Sequence, residues 1–163
     1  MTFEDWVGAR GGALLRFALM VSADPSRAED LVQSVLARVY SRWSHISTLA
    51  APEAYVKAAI VNEHLKWWRR RSNHEMPAEM LTDAPEAFDV ASRHASRDAA
   101  WELLGRLPRR QRAVLALRFY EDMSDGGIAA VLGCSVSTVR SQASRALATL
   151  RAAVPMMQKE TLP

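Results

Sequence analysis

Residues 124–151, SDGGIAAVLGCSVSTVRSQASRALATLR, hold two helical runs only a few residues apart. The spacing of their small side chains leaves few ways to pack them. Ala129 stands where two crossing helices come closest. Gly133 falls at the turn between them, where glycine takes a positive φ at no steric cost. Ile128, Leu132, Val136 and Val139 supply the apolar contacts, and Ser135 is a good N-cap for the second helix. Stepped at ~100° per residue, Val136, Val139, Ala143, Ala146, Leu147 and Leu150 gather on one face. Ser137, Thr138, Ser141, Ser144 and Arg145 gather opposite, with Arg140 and Gln142 on the flanks, and no acid occurs between Gly126 and Gln158. Such a face suits a DNA major groove: short side chains admit the helix, and arginine reaches guanine edges or phosphates. The plainer reading is the solvated side of an ordinary helical hairpin. Ala, Gly and the Val pair falling together at motif spacing favour a helix-turn-helix.

The rest of the chain follows the helical period. Phe3 to Val21 reads as a helix with an apolar stripe of Phe3, Trp6, Val7, Leu14, Leu15, Phe17 and Ala18, weakened by Gly8, Gly11 and Gly12. Asp24-Pro25 is an N-cap with proline at the first helical position. The helix it opens runs to about Trp43, with Leu31, Val35, Leu36, Val39 and Trp43 inward and Asp30, Gln33, Arg38 and Arg42 more exposed. His45 to Ala51 reads as a loop.

Pro52 starts the next helix, PEAYVKAAIVNEHLKWWRRR. Val56, Ala59, Ile60, Glu63 and Trp67 lie near one face, while Lys57, Asn62, Lys66, Arg69 and Arg70 point elsewhere. Every residue from Lys66 to Arg71 is basic or tryptophan. Cations there complement the C-terminal helix dipole, which is a structural reason for them. The functional reason is a platform for nucleic acid, with arginines on phosphates and a ring on a base. On this reading Trp67 belongs to the core, and Trp68, turned ~100° away, makes the contact.

From His74 to Asp89 every charged residue is acidic, namely Glu75, Glu79, Asp83, Glu86 and Asp89, and Pro77 and Pro85 punctuate the run. Residues 73–92 therefore read as an acidic linker. A second domain begins near Arg93. Ala99, Leu103, Leu104 and Leu107 are spaced for a helix ending at Pro108, which opens another, PRRQRAVLALRFY. There Val114, Leu115, Leu117 and Phe119 turn inward, and Arg109, Arg110, Arg112 and Arg118 form a basic side. The expected fold is all-α: two small helical domains joined by the linker, the second a four-helix domain containing the helix-turn-helix. The boundaries are 1–72, 73–92 and 93–154, with a tail at 155–163.

Length permits this, since 163 residues make one domain or two small ones. The formal charge of +3 is mild, so the clustering of arginines says more than the total. Cys134 is the single cysteine, which excludes a disulfide framework and suits a reducing cytosol. Its place in the turn marks it as a small buried residue rather than a reactive one. The opening MTFEDW puts acids where a secretory leader needs cations. No apolar run approaches the ~18–20 residues of a membrane span, so a cytoplasmic protein that binds no membrane is expected. The histidines, His45, His64, His74 and His94, lie far apart with no ligand at metal spacing. No phosphate-cradling loop or nucleophile elbow occurs, so no cofactor, metal or catalytic residue is expected. No heptad seam is sustained, and the free chain is expected to be a monomer.

Four stretches together carry a family resemblance over nearly the whole chain: AEDLVQSVLARVY (28–40), PEAYVKAAIVNEHLKWWRRR (52–71), LPRRQRAVLALRFYEDMS (107–124) and IAAVLGCSVSTVRSQASRALATLR (128–151). The sequence resembles extracytoplasmic-function sigma factors of the sigma-70 superfamily, specifically the actinobacterial type with a WWRRR helix end. The resemblance implies a non-enzymatic subunit that joins bacterial RNA polymerase core and directs it to promoters. In the family the AEDLVQ helix docks on the clamp helices of the largest polymerase subunits, and Asp30 and Gln33 match the contacting positions; three residues apart, they share a helical face. Asn62, Lys66, Trp68, Arg69 and Arg70 would engage the −10 element, with His45 to Ala51 as a base-specificity loop. Ser137, Thr138, Arg140, Ser141, Ser144 and Arg145 would read the −35 element. The linker's charge would resemble RNA in the polymerase channels, and an anti-sigma protein is an optional partner.

Two positions depart from the family. Gly126-Gly127 removes the glutamate usual at 127, which leaves a frayed or bare helix start. Gln142 stands where a basic residue is common. Two rival readings differ in kind: a stand-alone helix-turn-helix regulator, which needs neither the docking helix nor the WWRRR end, and an adaptor that binds another regulator through exposed helices.

Overall fold

A computed structural model describes residues 1–75 and 102–160. Among them all regular structure is helical, with no strand. The chain divides into two compact units, Met1–Leu81 and Thr82–Pro163.

The first unit comprises α1 (Phe3–Ser22), α2 (Pro25–Ser41), the single turn α3 (Trp43–Ile46) and α4 (Pro52–Glu75). Local chemistry sets the helix starts. Thr2 Oγ1 accepts the Asp5 N–H at 3.1 Å, and Asp24 Oδ1 accepts those of Ser26 and Arg27 at 3.0 and 3.4 Å. Helices α1, α2 and α4 pack mutually around Leu14, Phe17, Leu31 and Ile60, all fully buried. Each such side chain contributes about 1.5–3 kcal/mol by leaving water.

Three expectations change here. Leu15 is exposed, because it lies one residue off the face formed by Leu14, Phe17, Ala18 and Val21. Lys57 is buried rather than turned outward: Nζ lies 2.8 Å from Glu53 Oε1 and 5.7 Å from the Phe17 ring centre. A lysine stem can cross apolar surface when an acid receives its head. The stretch from His45 is not all loop, since α3 includes His45 and Ile46, and Ile46 is buried. An apolar residue at the right height draws the chain into one more turn.

The second unit holds a helical stretch at 102–106 (α5), α6 (Arg109–Leu115) continuing as a π-helical turn (Ala116–Tyr120), α7 (Asp125–Leu132) and α8 (Val136–Glu160). Every residue from Gln111 to Leu117 is buried, so α6 is the unit's central helix. Leu107, Leu115 and Ala146 form a core cluster with Leu104, Leu147 and Leu150 against it.

That centrality corrects two readings. Arg112 does not join a basic side: it is fully buried and donates to the carbonyls of Leu104 and Leu107 at 3.3 and 3.2 Å. It bonds the carbonyls where α5 ends, that of Leu104 already accepting the Leu107 N–H at 3.1 Å. Phe119 does not turn inward but is 63% exposed. The π turn adds a residue per turn and shifts the phase that held through Leu117.

α4 continues to Glu75, into the stretch read as linker, and α8 continues to Glu160, past the expected start of the tail at 155. Residues 76–101 and 161–163 lie outside the described residues, and with them Arg93, Ala99 and most of the acidic run. Among the described residues no helix is long and apolar enough to cross a membrane.

Candidate nucleic-acid interface

In the second unit, backbone chemistry sets the angle between α7 and α8. Ser124 Oγ accepts the Gly127 N–H at 3.1 Å, so the start of α7 is capped and not bare. A Cβ on residue 127 would lie 2.9 Å from Met123 Cγ and 3.3 Å from Ser124 Oγ. Glycine there lets Met123 fold over the cap, which accounts for the missing glutamate. Gly133 closes α7 at φ 65°, its N–H bonded to the Ala129 carbonyl. Ser135 Oγ then accepts the Thr138 N–H at 3.1 Å and pairs with Thr138 Oγ1 at 2.9 Å.

α8 divides cleanly. Val139, Ala143 and Ala146 are buried against α6 and α7. Ser137, Arg140, Ser141, Ser144 and Arg145 are exposed on the other side. Thr138 is half-buried and bonded at the cap, which makes it a hinge of the face more than part of it. Gln142 is half-buried, with its amide oxygen sealed from solvent and accepting no hydrogen bond. The outer face therefore carries three hydroxyls and two arginines.

Arg140 has a neighbour that sequence reasoning missed. Its Nε donates to Asp125 Oδ2 at 3.4 Å, and Arg118 Nη2 lies 3.5 Å from Asp125 Oδ1. The three residues come from three elements, so no periodicity connects them. The available signal was an acid at the first position of α7 beside a face otherwise free of acids.

In the first unit, the ends of α2, α3 and α4 border an open groove of about 560 Å³. Arg38, Arg42, Asn62, Lys66 and Arg69 line it, and Ile46 and Tyr55 form apolar wall. Of the residues expected at the −10 element, Asn62, Lys66 and Arg69 come together here, spaced i, i+4, i+7 along α4. Arg70 does not line the groove but meets Glu63 Oε1 at 3.4 Å, and the same carboxylate, itself part of the groove wall, holds Arg38 at 3.1 Å.

The two tryptophans are half-buried alike, so the division into a core Trp67 and an outward Trp68 does not hold. Trp68 has its indole nitrogen sealed from solvent and meets His64 and Trp67 edge-on at 6.4 and 4.8 Å. Trp67 carries two guanidiniums over its ring, Arg27 at 3.9 Å and Arg71 at 5.0 Å. Burial pulls the Arg27 guanidinium below its ordinary value, while Asp30 and Glu63 pull it back up. Asp30 and Gln33 are both exposed on α2, about one and two turns past Arg27.

Comparison with known proteins covers both units. Residues 6–74 match the family model of sigma-70 region 2, and residues 97–150 match that of sigma-70 region 4. The chain is 41% identical over 151 residues to RNA polymerase sigma-E factor of Streptomyces coelicolor, covering 93% of this chain and 85% of that protein. It is 28% identical over 142 residues to ECF RNA polymerase sigma factor SigL of Mycobacterium tuberculosis, covering 85% and 80%. The fold is similar to that of a sigma factor RpoE from Bartonella quintana, solved in complex with the anti-sigma factor NepR. The TM-score is 0.74 at 23% identity, over 94% of this chain and 96% of that one.

Proposed function

The chain belongs to the extracytoplasmic-function sigma factors of the sigma-70 family, and from that premise we propose how its residues divide the work of promoter recognition. It is an RNA polymerase sigma factor, with one helical unit for each of two sigma regions. Residues 93–154 read the −35 element by laying α8 in the major groove. The supporting observation is the division of α8: Val139, Ala143 and Ala146 inside, Ser137, Arg140, Ser141, Ser144 and Arg145 outside, with no acid on that helix before Glu160. Short hydroxyl side chains let the helix approach, and the arginines reach bases or phosphates.

Residues 1–72 engage the −10 element. Asn62, Lys66 and Arg69 line a groove that would receive an extruded nucleotide, with Ile46 from the 45–51 segment in its wall. Arg70 adds charge beside it, and Trp68 supports the helix end as the strands part. Asp30 and Gln33 form the docking face for the clamp helices of the polymerase core. The stretch 73–92 serves as an acidic tether between the units, and the WWRRR end of α4 supports the reading of the chain as the actinobacterial type. The protein works without chemistry of its own, in the cytoplasm, as a monomer until it meets core. An anti-sigma protein is a fitting second partner, as the RpoE of Bartonella quintana has one.

Run-off transcription with purified core polymerase tests the reading. Promoter-directed transcripts should appear only when this chain is added. If it binds promoter duplex yet never supports a transcript, a stand-alone regulator replaces it.

A further inference from the structure

We propose that Asp125 is a specificity-determining residue that holds Arg140 in the orientation for reading a guanine in the −35 element. The inference rests on α8 being the −35 helix.

Its basis is the linked set Arg118–Asp125–Arg140. Arg140 is 71% exposed along its side chain, and the nitrogen that meets Asp125 is Nε, at 3.4 Å. A guanidinium has five donors in a planar fork. Bonding through Nε does not spend the end of the fork, where the two terminal amino groups each carry a further donor. Guanine presents two acceptors, O6 and N7, to such a pair in the major groove. An arginine without this buttress must lose its rotamer freedom when it binds.

The carboxylate also decides what Arg140 avoids. A phosphate brought to Arg140 would come near a second anion, whereas a base edge carries no full charge. Asp125 therefore biases the side chain from backbone contact toward base contact. Arg118 Nη2, 3.5 Å from the other carboxylate oxygen, offsets the repulsion Asp125 would otherwise exert on the DNA. The Asp125 side chain is only 20% exposed, so the carboxylate cannot swing freely away. An acid at the start of α7 also suits the helix dipole. A purely dipolar role would change stability and leave base choice alone.

The experiment uses the full chain bound to core polymerase, selecting from promoter duplexes randomised across the −35 element. Wild type should return a motif, and Arg140→Ala should flatten one position of it where guanine dominates. Asp125→Asn keeps the shape of the side chain and should flatten that same position, with about five- to tenfold loss of preference. Its binding to non-preferred sequences should be equal or stronger, because a negative charge has gone. The double variant should lose nothing further at that position. Asp125→Ser, which also removes the carboxylate, should flatten it likewise and serves if Asp125→Asn melts early. Arg118→Gln leaves the Asp125–Arg140 contact in place, so it should weaken binding to all sequences and keep the preference. Unchanged preference in Asp125→Asn, flattening at a different position, or uniform weakening with a lowered melting temperature overturns the inference. A wild-type holoenzyme that returns no motif at all instead overturns the −35 reading beneath it.

Discussion

Both units carry basic side chains near their proposed DNA faces but dispose of them differently. In the first, cations are held by acids and rings: Arg38 and Arg70 by Glu63, Lys57 by Glu53, Arg27 and Arg71 by Trp67. In the second, Arg112 disappears into the core to bond backbone carbonyls, and Arg118 and Arg140 share Asp125. A count of arginines along the sequence therefore overstates the interface in both units. What remains for phosphates is set by which cations have an acid or a carbonyl within reach.

The widest contrast is between neighbours in α6. Arg112→Met should destabilise the second unit by about 2–3 kcal/mol, since it takes the charged donor from the buried Leu107 carbonyl and the part-buried Leu104 carbonyl. Arg110→Ala, at an exposed site, should stay within about 0.5 kcal/mol. Denaturant unfolding of the full chain measures both, and equal effects would erase the distinction between buried and surface arginine.

On α4 the comparison predicts a ranking. Trp68→Ala should slow open-complex formation, by about 1–3 kcal/mol if a base stacks on the ring. A promoter pre-melted across the −10 region should restore it. Arg69→Ala should weaken binding on both templates, increasingly with salt, and more than Arg70→Ala, because Glu63 already holds Arg70. If the two arginine variants weaken binding equally, the ion pair does not withhold Arg70 from DNA. A large fall in melting temperature, with equal loss on both templates, would instead make Trp68 a packing residue.

Lys57→Met sharpens the contrast with Arg112. The methionine keeps the stem's packing, and Glu53 keeps Arg10 at 3.6 Å. The expected loss is smaller, about 1–2 kcal/mol. A loss as large as that for Arg112 would show that Glu53 depends on Lys57 alone.

Asp30→Ala with Gln33→Ala should move stability least, within about 0.5 kcal/mol, because both are exposed. Assembly with core polymerase should nevertheless fall, as read by native gel or co-purification. Undiminished assembly would remove α2 as the docking face.

Sequence alone determined the helical class, the caps at Asp24 and Ser135, the turn at Gly133 and the two faces of α8. All of these depend on neighbours within one or two turns, so period and cap chemistry suffice. The Ser124 cap, read as a bare helix start, emerged only from the structure. Arg112 was within reach of the same arithmetic, since it shares a face with Leu115 and Ala116, but its charge argued for the surface. Only a view of the carbonyls at the end of α5 reverses that. Phe119 escaped because a π turn resets the phase, and Lys57 because the Phe17 ring its stem packs toward lies on another helix. The tertiary structure alone decided the Asp125–Arg140 contact, the pairing of Glu63 with two arginines and the groove that gathers Asn62, Lys66 and Arg69. Each joins side chains from separate elements, or depends on what a neighbouring element leaves open. Periodicity orients a side chain about its own helix axis and carries no information about what stands opposite.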